Sequence, residues 1–214
     1  MKAPTSLQFV KLKDYQKFTL ISKPTNEDLI KCILDISKAD LSTMKLMTVD
    51  TLTNELNDLF DQKHEFINEF TLYGTTYGFI PKLDEITYGE NKDITSYIND
   101  WDKMHKAMAV MFRPITKKYG NKYLIEEYEG SGLYSEIMKD APLNVVLGAM
   151  VFFYNLTNEL LNSIPKYLEK QLKDQQMTEA ALVTNGEAIA NCTVYLRETL
   201  QSLKKLQSYH YINV

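Results

Sequence analysis

Residues 68–83 read NEFTLYGTTYGFIPKL. Phe70, Leu72, Tyr77, Phe79 and Ile80 stand on either side of a Gly-Thr-Thr centre, the pattern of two short strands joined at a glycine turn. Pro81 closes the second strand, because a proline has no N–H for the ladder. This hairpin decides the fold class, since nearly everything around it reads as helix. A weaker hairpin follows at 117–130, KKYGNKYLIEEYEG, with Gly120-Asn121 at the turn and Tyr123, Ile125 and Tyr128 nearby.

Working outward, residues 25–40 read TNEDLIKCILDISKAD. Thr25 is placed to cap a helix with Asn26, Glu27 and Asp28 in its first turn, and Leu29, Ile30, Ile33, Leu34 and Ile36 give it an apolar face. Leu52, Leu56, Leu59 and Phe60 define another helix from about Val49, and DLSTMKLM between the two forms a short one. Between the hairpins, Trp101, Met104, Met108, Met111 and Phe112 recur at three- and four-residue spacing until Pro114, whose predecessor is pushed out of helical geometry. Leu133 to Lys139 is a short helix after the glycines of YEGSG. Pro142 suits the first turn of a long helix that Pro165 kinks or interrupts. A last helix is expected over 178–207, with Gly186 weakening its first half. The expected fold is mainly α with small β-hairpins (α+β), a helical bundle-like core carrying one or two short antiparallel hairpins. A soft boundary near Ile67 divides an N-terminal helical region, 1–66, from a hairpin plus helical region, 67–214, unless the whole is one domain.

Composition narrows the function classes. A hydrophobic fraction of 44% supports a core, and 11% aromatic residues argue against disorder. Lysines and arginines number 24 against 28 acids, so no overall basic charge points to nucleic acid. Cys32 and Cys192 form no CxxC pair and read as small hydrophobes of a reducing compartment. Residues 1–18, MKAPTSLQFVKLKDYQKF, hold no uninterrupted apolar run, so no signal peptide is expected. The uncharged run 143–156, LNVVLGAMVFFYNL, falls short of the roughly 20 residues a membrane span needs and reads as a core helix.

The chemical candidates do not assemble. His64 and His210 read as exposed. His105 sits on the Met-rich helix with Asp102 three residues back, a base that still lacks a nucleophile or second partner. An enzyme using His105 and nearby carboxylates is the rival from another class. Asp84, Glu85, Glu90, Asp93, Asp100 and Asp102 cluster between the hairpins, but the alternating register of a calcium loop is missing. Capping is the simpler use, with Thr87 and Asp93 as candidate caps. HExxH, Walker A, GxSxG and GxGxxG are all missing. No metal site and no cofactor is therefore expected. The methionines of one helix either fill core gaps or line an adaptable groove, and Met104, Met108, Met111 and Phe112 are the candidate partner-binding residues under the second use.

The runs FIPKLDEITYGENKDITSYINDWDKMHKAMAVMFRPI (79–115), KYLIEEYEG (122–130) and APLNVVLGAMVFFYNLTNELL (141–161) resemble a family of tailed-bacteriophage proteins. Its genes lie among virion and tail genes, and some members are called tail assembly chaperone-like. The resemblance covers about residues 5–170 and is strongest over 79–161. It implies a non-enzymatic virion assembly protein that binds other phage structural proteins, such as a tape measure protein or tail- and portal-associated components. The alternative it leaves is a permanent part of the particle at the head–tail junction, in the tail or inside the capsid. It implies work in the host cytoplasm during assembly, or a place in the virion. No membrane and no direct nucleic-acid binding are expected, on the grounds of length and charge given above. A homo-oligomer stays open. The family carries no catalytic residues onto this chain.

Overall fold

A computed structural model describes residues 2–174 of the chain. After a single 3-10 turn at Leu7–Phe9 come four helices: α1 (Leu12–Thr19), α2 (Asn26–Leu34), α3 (Lys38–Thr43) and α4 (Leu46–Phe60). The first hairpin follows as β1 (Glu69–Leu72) and β2 (Thr75–Phe79), then α5 (Tyr88–Tyr97) and α6 (Met104–Met111). The second hairpin is β3 (Phe112–Tyr119) and β4 (Lys122–Ile125), and α7 (Gly132–Met138) and α8 (Leu143–Asp174) complete the order. The fold is mainly α with one small antiparallel sheet, as the sequence pattern predicts. The last expected helix, 178–207, lies outside the described residues.

Local chemistry explains most boundaries. Thr25 accepts from the Asp28 N–H while Asp28 accepts from the Thr25 N–H, a reciprocal cap that starts α2. Ser37 with Asp40 starts α3 in the same way, and Thr87 with Glu90 starts α5. Asp93 is no cap: it lies in the second turn of α5, because Thr87 has already set the start. At the first turn between strands, Tyr73 and Gly74 both take positive φ, 51° and 80°, matching the tight turn whose twist suits a hairpin. Gly120 takes φ 59° as the first central residue of the second turn. The long helix α8 passes through Pro165 without ending there.

One junction differs from the sequence reading. The helix through Trp101 stops at Met111, with its first three residues in a 3-10 turn, and the chain enters β3 at Phe112 with no loop. Pro114 lies inside that strand rather than after a helix end. It sits where β3 changes neighbours: residues 112–114 pair with β2, and the pairing with β4 starts at Ile115. The Glu126 N–H donates to the Pro114 carbonyl at 3.0 Å, and proline has no N–H to return. The two hairpins thereby join into a single sheet, ordered β1-β2-β3-β4.

The sheet has unlike faces. Phe70, Tyr77, Phe79 and Phe112 point into the core, with Phe79 and Phe112 edge to face at 5.3 Å. α6 lies at the centre of that core, and α8 buries Leu143, Val145, Val146, Leu147, Ala149 and Met150 against it. Buried residues run from Leu7 to Met150 in one cluster, so the helices before Ile67 and the sheet after it share a core. The N-terminal segment is tied in by the Leu12 N–H on the Ala141 carbonyl and the Leu143 N–H on the Val10 carbonyl. Asp140 then collects Lys11, Lys13 and the Tyr73 hydroxyl, at 3.1, 2.8 and 2.5 Å. Those cations and the hydroxyl outweigh the cost of burial and hold its carboxyl well below the usual range.

Candidate functional site

The structure places Met104, Met108, Met111 and Phe112 at 0% exposure. The groove-lining use of these residues is corrected: α6 is buried on almost every side, since Ala107, Ala109 and Val110 are enclosed too. A helix that is apolar all round is a core helix, and its thioethers fill the irregular space between α5, α7 and the sheet. Periodicity marks the stripe facing a core but does not reveal that the opposite stripe is also covered.

His105 is buried at the edge of that core. The Gln16 side-chain amide donates to its Nδ1 at 3.1 Å and to the Trp101 carbonyl at 2.6 Å. An accepting Nδ1 puts the ring proton on Nε2 and holds the imidazole neutral. Burial chiefly, then Lys139, depresses its pKa. Asp102 contributes its main-chain carbonyl to Gln16 instead of a carboxylate to the imidazole. No hydrogen bond among the described residues joins His105 to an acid. His64 is buried as well, contrary to the exposed reading. The loop after α4 presses on α8, where a Cβ at Gly148 would stand 2.2 Å from the Glu65 carbonyl oxygen. His64 is carried inside with that loop, and burial lowers its pKa. His210 and Cys192 lie outside the described residues.

The acids between the hairpins go separate ways. Asp93 accepts the Tyr128 hydroxyl at 2.5 Å, while Asp100 caps the Trp101–Lys103 turn through the Asp102 N–H. Glu90 combines two duties. One carboxylate oxygen accepts the Thr87 N–H at 2.7 Å, and the other meets Arg113 Nη1 at 2.6 Å. Both side chains are over nine-tenths buried. Burial pushes the Glu90 carboxyl up, but the bonds from Thr87 and Arg113 outweigh it and leave it below its usual value. Among the described residues no group of three His, Cys, Asp or Glu side chains stands ready for a metal ion.

What the chain does build is a trough of about 1200 Å³ on the other face of the sheet. One wall is the continuous segment 79–87 and the other is 121–128, which includes all of β4. Arg113 and Glu90 lie between them, and Phe66 and Phe152 stack at 4.4 Å where the trough meets α8. Gly78 lies under the ring of Tyr123, which lines the trough, and a Cβ there would come within 2.5 Å of that ring. With that space open, Tyr123 crosses the strands and donates its hydroxyl to the Phe79 carbonyl at 2.9 Å. Tyr128 closes the 121–128 wall onto α5 through Asp93, and the Arg113 guanidinium lies 5.5 Å from its ring centre. Burial first, then Asp93, raises the Tyr128 hydroxyl. Tyr134 bonds Glu126 in the same style, and its hydroxyl is pushed up to about 12 by burial and that carboxylate.

Sequence reading missed the trough because its walls come from segments about forty residues apart. The signals present were the lone glycine in TTYGF and the proline in FRPI, each marking a close approach or an altered ladder. His105 does not line it. Among the described residues no helix is long and apolar enough to cross a membrane. No protein-family model, curated protein or solved structure matches the chain.

Proposed function

We infer that this protein acts without turnover, as a tailed-bacteriophage assembly protein of the tail assembly chaperone-like kind that binds other phage structural proteins. The trough carries the reading. It is an open, partly apolar channel whose buried ion pair, Glu90 with Arg113, is engaged in structure, and the segments that supply most of it fall within 79–161, where the family resemblance is strongest. Beside it Glu90 pairs with Arg113 and caps α5, while Asp93 accepts from Tyr128. Carboxylates so committed position the fold rather than take a substrate proton. A holding protein needs a standing surface rather than a reacting atom, and a trough with strand β4 in one wall supplies one.

Affinity capture of the tagged chain from infected host cells tests this. A phage structural protein should co-purify at fixed stoichiometry, and mass spectrometry should find the chain depleted from mature particles. Fixed copy number in purified virions would replace the transient role with a permanent one. Recovery of no phage structural protein would overturn both.

A further inference from the structure

We propose that the trough receives an extended segment of a partner protein in which basic residues alternate with apolar ones. This rests on the protein-binding role inferred above and specifies its site and the chemistry of its occupant.

Shape comes first. Pockets for small molecules run from roughly 300 to 1000 Å³, and this trough exceeds that range at about 1200 Å³. Its 121–128 wall spans eight residues, of which Lys122–Ile125 are strand; at about 3.3 Å per residue a run of that length reaches at most roughly 25 Å. That length accommodates a strand-like stretch of six to eight residues and is long for a metabolite. An extended guest sends alternate side chains to opposite sides, so it needs two kinds of lining, and both are present. Phe66 and Phe152 form a stacked aromatic pair, extended by Leu83, Ile86 and Leu124, the last 54% exposed.

Charge decides what the other side chains are. The lining holds Asp84, Glu85, Glu90, Glu126 and Glu127, against Lys82, Arg113 and Lys122. Two of the three cations are already matched, Arg113 by Glu90 and Lys82 by Glu85 at 2.6 Å. Among the described residues neither Asp84 nor Glu127 has an ion-pair partner, and both are exposed. The trough therefore offers unmatched negative charge beside apolar surface. A lysine- or arginine-bearing strand completes both, whereas an acidic peptide or a nucleic-acid backbone meets repulsion.

The test uses the full chain and two fluorescein-labelled nine-residue peptides, one alternating lysine with leucine and one alternating glutamate with leucine. Fluorescence anisotropy should show the lysine peptide bound and the glutamate peptide unbound at the same concentrations. The exposed pair Asp84→Lys and Glu127→Lys, with an unchanged circular dichroism spectrum, should weaken the lysine peptide at least tenfold. Asp84→Asn with Glu127→Gln should weaken it less. A photoreactive leucine analogue in the peptide should crosslink to 79–87 or 121–128. Binding indifferent to the rim charges, crosslinks elsewhere, or no binding of the lysine peptide would overturn the assignment. So would a concentration-dependent dimer, abolished by the rim reversal in analytical ultracentrifugation, since the occupant would then be a second copy. If the rim-reversed chain still captures its phage partner at wild-type yield, the trough assignment falls while the assembly role stands.

Discussion

The two faces of the four-stranded sheet were built by opposite rules. The face toward α6 is filled with Phe70, Tyr77, Phe79 and Phe112, and no polar side chain interrupts those four. The face toward the trough carries Gly78, Arg113 and Tyr123, where an absent side chain makes room and polar groups hold one another. The first face makes the fold cohere through burial, and the second keeps a cavity open through specific bonds. Substitutions on the first should act on stability alone. On the second, stability and binding should separate.

The largest effect belongs to the core face. Phe112→Ala removes a fully buried ring in contact with Phe70 and Phe79, and should destabilise the chain by about 3–5 kcal/mol, seen as a lower urea midpoint. Glu90→Gln keeps a side chain able to close the Thr87 cap but leaves Arg113 buried without its counter-charge, a loss of about 3 kcal/mol or more. Replacing both Glu90 and Arg113 by apolar residues of similar volume should cost less than E90Q alone. If the double change is the worse of the two, the pair is a net source of stability and the contrast between the faces is blurred.

A smaller effect probes the packing beneath Tyr123, which lines the trough. Gly78→Ala pushes a methyl toward the Tyr123 ring, which its hydroxyl bond to Phe79 holds in place. The expected cost is about 1–3 kcal/mol. Adding Tyr123→Leu to G78A should recover part of that cost, so the two changes will not add. Strict additivity would mean that Gly78 serves some other purpose.

How much of this was legible depends on the range over which each cause acts. The turn at Gly74 and the caps at Thr25 and Thr87 are read correctly because each is settled within four residues. The methionine stripe is located correctly, but core filling and groove lining both fit it, since only the third dimension shows what covers the far side of α6. His64 looks polar and exposed in DQKHEF, yet Gly148, more than eighty residues later, determines that its loop is pressed inward. The Glu90–Arg113 pair and the paired walls are also long-range, and no local pattern announces them. Pro114 is the instructive middle case: the proline signal is real, but it marks a change of strand partner instead of a stop.

The smallest effect, pH, separates the two faces once more. His105 on α6 and His64 under α8 both have folded pKa values depressed below the ordinary 6.5, chiefly by burial. An unfolded chain takes up protons on these rings near pH 6.5, before the folded chain does. The folded state is therefore at full advantage above that pH and loses ground as pH falls toward the folded values. Glu90 differs in sign of charge and in window. Its carboxyl is held below the usual value, so the stability it contributes is present above the unfolded value near 4.5 and is lost only at more acid pH. Between pH 7.5 and 5.5 the core face should weaken while the Glu90–Arg113 pair stays charged. Urea titrations at the two pH values should show a lower midpoint at 5.5, and His64→Gln with His105→Gln should shrink the difference. A midpoint that falls equally in wild type and double variant would assign the loss to groups other than these two histidines.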